Sequence, residues 1–210
     1  KKGCKPTEKE VEEHMALHIP YRNWCSFCVK GKTDSKGHVK RKDDEESEVP
    51  VISVDYTYMK DKQRDSEEKG MPIMVVKDRG TKVIKARVVP AKGDDGYAVR
   101  TLKGIIESLG YKKVMLKSDH EPAIKSLKEK VKNEVSVEIC MEESPAYDSR
   151  SNGEIENAIR TVQGQIRAVK NGLESRYKSR IEDSHQVIPW IIAHSSDTIN
   201  RFAKGEDGRT

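Results

Sequence analysis

The chain has 210 residues, 34% of them hydrophobic and 36% charged, with 40 Lys and Arg against 35 Asp and Glu for a formal charge of +5. That length suits one domain of ordinary size with an appendage, and without a run of about 18 apolar residues or a signal-peptide pattern nothing argues for a membrane span or secretion. So polar a composition would imply disorder if it were even, but the charge is concentrated in residues 1–13, 30–48 and 60–70, and the remainder is patterned like a folded domain.

Residues 1–29 read as a small metal module. His14 and His18 stand at i and i+4, so both imidazoles project from one helix face, and Cys25 and Cys28 follow as a Cys-x2-Cys pair. Two imidazoles and two thiolates suit a closed tetrahedral Zn2+ site; the competing reading is an inert cysteine pair beside two surface histidines. The chain must turn directly after His18, where Pro20 fits. A segment this short could hardly fold without its metal. Residues 30–48 read as a linker, with Lys30, Lys32, Lys36, Lys40, Arg41 and Lys42 ahead of an acidic run and hardly an apolar side chain to offset ordering entropy. Its basic half could track a phosphate backbone.

From Val49 the period becomes two: Ile52, Val54, Tyr56 and Tyr58 alternate with Val51, Ser53, Asp55 and Thr57, predicting a strand with one more polar face. Asp55 falls mid-strand, where aspartate is disfavoured and functional sites tolerate conflict. Two more strand-like runs, 72–77 and 82–89, flank Asp78-Arg79-Gly80-Thr81, a hairpin signal. Helical spacing of Val99, Leu102, Ile105, Ile106 and Leu109 predicts a helix over 94–109, stopped at Gly110. A strand over 113–117 ends in Ser118-Asp119-His120; a helix over 122–132 and a strand over 135–141 follow. A polar loop from Tyr147 to Asn152 then enters a long helix whose apolar stripe is Ile155, Ala158, Ile159, Val162, Ile166 and Val169. Glu156, Arg160, Gln163 and Arg167 share one flank of it. A last helix spans 187–202, with Trp190 read as core. The order β-β-β-α-β-α-β-α suits the ribonuclease H-like arrangement, an α/β fold with a mixed five-stranded sheet flanked by helices. Residues 49–210 would form it, and Asp119 would emerge beside Asp55 at the carboxyl ends of strands, where such sheets put their sites.

Asp55 in Ser53-Val54-Asp55-Tyr56, Asp119 in Lys117-Ser118-Asp119-His120 and Glu156 in Ser151-Asn152-Gly153-Glu154-Ile155-Glu156 resemble the Asp, Asp, Glu triad of retroviral and retrotransposon integrases. Glu156 lies 37 positions after Asp119, close to the family's habitual spacing. The two-histidine, two-cysteine module upstream, and Trp190 with Ile199-Asn200-Arg201 downstream, extend the resemblance toward copia-type elements and nearly the whole chain. Glu154 competes for the third place, but Glu156 stands three after the glycine, as the family pattern has it. The resemblance implies a polynucleotidyl transferase that trims DNA 3′ ends and joins them to target DNA. Asp55, Asp119 and Glu156 would hold two Mg2+ or Mn2+ ions, with Asp55 bridging; three gathered carboxylates need such cations, and oxygen ligands select them. Arg160, Gln163 and Arg167, with Tyr147 and Asn152 of the loop, would contact DNA.

The resemblance further implies partners in element ends, target DNA and further copies of the chain, no membrane partner, and a nuclear location or one in a cytoplasmic virus-like particle. The chain is expected to be a piece of a longer Pol polyprotein, cut short at its carboxyl end. The zinc spacing is shorter than in most integrases, and His120 stands where many relatives have asparagine. Two other readings use the same features: a silent nucleic-acid-binding relic of a transposable element, and a ribonuclease H-type nuclease or DNA transposase.

Overall fold

A computed structural model describes residues 6–32, 49–59, 70–143 and 153–203. These fall into two compact units, one drawn from Lys36–Arg160 and one from Lys1–Ser35 together with Thr161–Thr210.

The first unit is built on a five-stranded sheet. Strands β1 (Val51–Thr57), β2 (Ile73–Asp78) and β3 (Ile84–Val88) form the antiparallel meander, and β4 (Lys113–Ser118) and β5 (Glu138–Glu143) add parallel to the other side of β1, in the order β3-β2-β1-β4-β5. This mixed sheet, with its helical crossovers, is the ribonuclease H-like arrangement. Helices α3 (Gly96–Ser108) and α4 (Pro122–Glu134) make the crossovers. Their buried side chains, among them Val99, Leu102, Ile106, Ile124, Leu127 and Val131, pack with Ile52, Val54, Met74, Val76 and Leu116 of the sheet. Each such side chain removed from water contributes about 1.5–3 kcal/mol.

Because β1 is central, Val51 and Ser53 of its expected polar face are buried as well. The strand opens only toward its carboxyl end, at Asp55 and Thr57. Helix α3 begins at Gly96, with Asp95 as its cap: the carboxylate accepts from the N–H groups of Tyr97 and Ala98 at 2.9 and 3.2 Å. The strand expected over 135–141 starts only at Glu138, because α4 continues to Glu134 and the Val135 N–H still bonds the Val131 carbonyl at 3.0 Å.

In the second unit, α1 (Glu8–Leu17) opens with a capping box in which the Thr7 hydroxyl accepts from the Glu10 N–H and the Glu10 carboxylate accepts from the Thr7 N–H. It ends at His18 in the left-handed conformation, φ 55°, so the chain turns where expected; the Ile19–Pro20 bond that follows is cis. A short helix that the sequence did not announce, α2 (Ser26–Lys32), carries Cys28 and extends past the boundary expected at residue 30.

Helix α5 (Gly153–Tyr177) contributes its residues from Thr161 onward to this unit and its earlier ones to the first. In α6 (Ile188–Phe202), Ile188, Ile191, Ile192, Ser195 and Ile199 form the buried stripe. Trp190 is not core: it is 55% exposed, off that stripe, and stacks on His194 one turn later at 4.6 Å and 9°. Among the described residues no helix is long and apolar enough to cross a membrane.

Candidate active site and metal centre

Parallel pairing of β1 with β4 aligns Ser53 with Lys117; Asp55 lies two residues on in β1, and Asp119 directly follows β4. Both carboxylates thus stand at the carboxyl edge of neighbouring parallel strands. Asp55 accepts the Tyr56 N–H at 2.6 Å and Asp119 accepts the Glu121 N–H at 3.1 Å, which orients both. Burial pushes the Asp55 carboxyl up to about 6, the Asp119 and Glu121 charges adding to it, while the Tyr56 N–H and the Lys92 ammonium oppose.

Glu156 stands in the first turn of α5, about half exposed, 3.8 Å from Arg160. The charges acting most on Asp55 are Asp119, Glu121 and Lys92; Glu156 is not among them. Glu154 is engaged elsewhere, accepting from Arg79 Nε at 2.7 Å across the end of β2, with its charge also acting on Lys77. Of the two glutamates, Glu154 therefore has a structural partner on the sheet, and Glu156 faces the arginine of its own helix. Gln163 is half-buried on α5, and Arg167 donates from Nε and a terminal nitrogen to the Gly31 carbonyl at 3.3 and 2.9 Å. Tyr147 and Asn152 lie outside the described residues.

The donor atoms of His14, His18, Cys25 and Cys28 lie within 4.8 Å of one another, and all four residues are buried. Cys28 Sγ is 3.3 Å from His14 Nε2 and 3.9 Å from His18 Nδ1, and Cys25 Sγ is 3.5 Å from His18 Nδ1. Zn–S and Zn–N bonds of ordinary length at tetrahedral angles imply an S···N edge of about 3.6 Å, so the donor set fits Zn2+. No second group of this kind is formed by the described residues. The module sits directly on α5. Added Cβ atoms at Gly31 and Gly172 would come within 2.8 Å of the Gly164 carbonyl and 2.6 Å of His18 Nε2, so only glycine allows this approach. Gln165 Nε2 donates to the Leu17 carbonyl at 2.5 Å.

Sequence reasoning passed over Lys92, Glu121 and Lys128. Lys92 Nζ donates to both Glu121 oxygens, at 2.7 and 3.0 Å, beside Asp55. Lys128 is wholly buried, its ammonium donating to Ser118 Oγ at 3.1 Å and the Glu142 carbonyl at 3.0 Å, and so tying together the ends of β4 and β5.

No protein-family model matches the chain, and no curated protein matches it in sequence. Solved structures do match in fold. The catalytic core domain of BIV integrase superposes with a TM-score of 0.50 at 16% identity, covering 76% of this chain and 89% of that one. The HTLV-2 integrase catalytic core domain in complex with magnesium, a trimeric form, gives 0.50 at 13% identity over 76% and 91%. A simian T-cell lymphotropic virus intasome in complex with the PP2A regulatory subunit B56 gamma gives 0.58 at 17% identity, over 84% of this chain but only 56% of that one. The neighbours are retroviral integrase cores, and at such identities the likeness is one of fold.

Proposed function

We propose that the chain is a DNA-joining enzyme of the integrase type, processing DNA 3′ ends and transferring them to target DNA at Asp55, Asp119 and Glu156. The observation that carries this reading is Asp55 near the carboxyl end of β1 and Asp119 directly after the adjacent parallel β4, with the charge of Asp119 adding to the burial that raises Asp55 to about 6. Solved neighbours that are integrase cores, one of them in complex with magnesium and one an intasome, support it.

The three carboxylates are hard oxygen donors suited to Mg2+ or Mn2+. Bound there, two such ions supply activation of the attacking hydroxyl and stabilisation of the leaving oxygen in an in-line displacement at phosphorus. Asp55 and Asp119 present their oxygens from rigid strand ends, each oriented by a backbone N–H. Arg160, 3.8 Å from Glu156, both orients that carboxylate and offers the phosphate backbone a cation. Gln163, Tyr147 and Asn152 are further DNA contacts in this proposal; Arg167 already serves the Gly31 carbonyl. The N-terminal module holds zinc as a structural element against α5. DNA ends, target DNA and further copies of the chain are the partners, the setting is the nucleus or a virus-like particle, and a copia-like Pol polyprotein is the source.

The test is resolution of a branched DNA substrate in Mn2+ by the wild-type chain, Asp55→Asn, Glu156→Gln and Glu154→Gln. The proposal expects joined product from the wild type and Glu154→Gln, and none from the other two. Joining that survives Glu156→Gln and disappears with Glu154→Gln would reassign the third carboxylate, and joining by Asp55→Asn would remove the site altogether.

A further inference from the structure

The carboxylate edge carries a cation that the three acids do not themselves account for. Lys92 lies in the turn between β3 and α3, with Nζ 2.7 and 3.0 Å from the Glu121 oxygens and 5.4 and 5.3 Å from the ring centroids of Tyr56 and Tyr58. The next residue, Gly93, donates its N–H to the Tyr56 hydroxyl at 3.3 Å, which fastens this turn to β1 one residue from Asp55. The side chain of Lys92 remains 26% exposed, and that of Glu121 31%. Glu121 holds the ammonium above the ordinary lysine range against the opposing effect of burial, with Tyr58 and Asp55 adding, so it stays charged across the working pH range.

We propose that Lys92 is a DNA-phosphate contact of the active site, its ammonium receiving a phosphodiester oxygen of the strand that enters beside Asp55, with Glu121 as the positioning residue that holds it there. The proposal rests on the DNA-joining reading. Asp55, Asp119 and Glu121 present a polyanionic strand with like charge, and Lys92 is a cation whose field reaches Asp55. An ammonium has three donors, and the two Glu121 oxygens engage at most two of them. Exposed ion pairs contribute little to stability on their own, so a fixed one at the strand ends has more use as a placed charge than as a brace. The two tyrosine faces and the Glu121 fork restrict a side chain that is otherwise among the most flexible, so little freedom remains to be lost when a strand arrives.

The experiment measures binding of a fluorescent branched duplex by the full chain, with Ca2+ as the only added divalent cation, across 50–200 mM NaCl. Loss of one phosphate contact lowers the slope of log affinity against log salt by about 0.9 in duplex and about 0.7 in single-stranded DNA. Lys92→Gln is expected to show that drop while Lys92→Arg keeps the wild-type slope. A Lys92→Gln slope equal to the wild type's, or an equal loss in Lys92→Arg, overturns the proposal.

Thermal unfolding checks that the variants fold. If Lys92→Gln does not, Lys92→Met takes its place: the same drop in slope is expected, and a slope equal to the wild type's counts against the contact. The joining reading fails separately. Absence of joining with an intact Lys92 effect leaves the contact standing, and joining with no Lys92 effect leaves the enzyme standing without it.

Discussion

Substituting Gly172 by alanine inverts a familiar rule. In the interior of an exposed helix this change gains about 1 kcal/mol, and Gly104 of α3, with nothing within 4 Å of an added Cβ, should behave that way. At Gly172 the new Cβ would stand 2.6 Å from His18 Nε2, about 0.8 Å inside the 3.4 Å at which ordinary contact begins. The ring cannot retreat freely, because its other nitrogen, Nδ1, faces the Cys25 and Cys28 sulfurs at 3.5 and 3.9 Å. Metal–ligand bonds tolerate displacements of only about 0.2 Å. Either α5 shifts or His18 leaves the donor set, and overpacking of this kind costs about 1–3 kcal/mol. Read as zinc affinity, that is a loss of roughly 5- to 150-fold. Competition for zinc with a chromophoric chelator, alongside thermal unfolding of Gly172→Ala and Gly104→Ala, measures both sides. A Gly172→Ala protein that binds zinc like the wild type and melts higher would refute the docking of the module on α5.

Removing zinc with a chelator should abolish amide protection in α1 and α2 and lower it along 164–172 of α5, where Gly31, Leu17 and His18 make their contacts, while β1 and β4 keep theirs; hydrogen exchange reads this directly. Asp55, whose folded pKa is raised from 3.8 to about 6, contributes stability that is fully present below pH 3.8 and lost as pH rises through 6, so urea unfolding without divalent cations should show stability falling over that window and Asp55→Asn should flatten the fall. Lys128→Met keeps the volume but leaves the Glu142 carbonyl without this donor, and is expected to cost about 1–3 kcal/mol in urea unfolding. Glu154→Gln breaks a partly exposed pair with Arg79 and should cost no more than about 1 kcal/mol in the same measurement.

What the sequence carried best was periodic. The meander, both crossovers and the long helix follow from apolar spacing, and the parallel pairing of β1 with β4 makes the strands that lead to Asp55 and Asp119 neighbours. The cluster of two histidines and two cysteines was legible because Cys-x2-Cys and two histidines one turn apart are local signals. Long-range pairings were not. Lys92 and Glu121 are 29 residues apart and belong to no spacing rule. Arg79 and Glu154 are 75 apart, yet their pairing is what sets Glu154 apart from Glu156.

Lys128 was passed over on residue type, although with Ile124, Leu127 and Val131 it completes a buried stripe whose spacing could have flagged it. Trp190 was misjudged for the converse reason, since a large aromatic suggests core while the apolar stripe of α6 runs past it. Short α2 was hidden because its end merges into the lysine-rich run, where composition suggests linker.

The measurement that tests the central claim most directly offers one preparation of the chain, in Mg2+ and then Mn2+, a branched DNA and an RNA–DNA hybrid of matched sequence. A joined DNA strand is expected from the first, abolished by Asp119→Asn, and an intact hybrid from the second. Degradation of the hybrid with no joined product would mean that the same carboxylates serve a nuclease, and inertness toward both substrates with no divalent cation bound at Asp55 and Asp119 would mean that the fold persists without its chemistry.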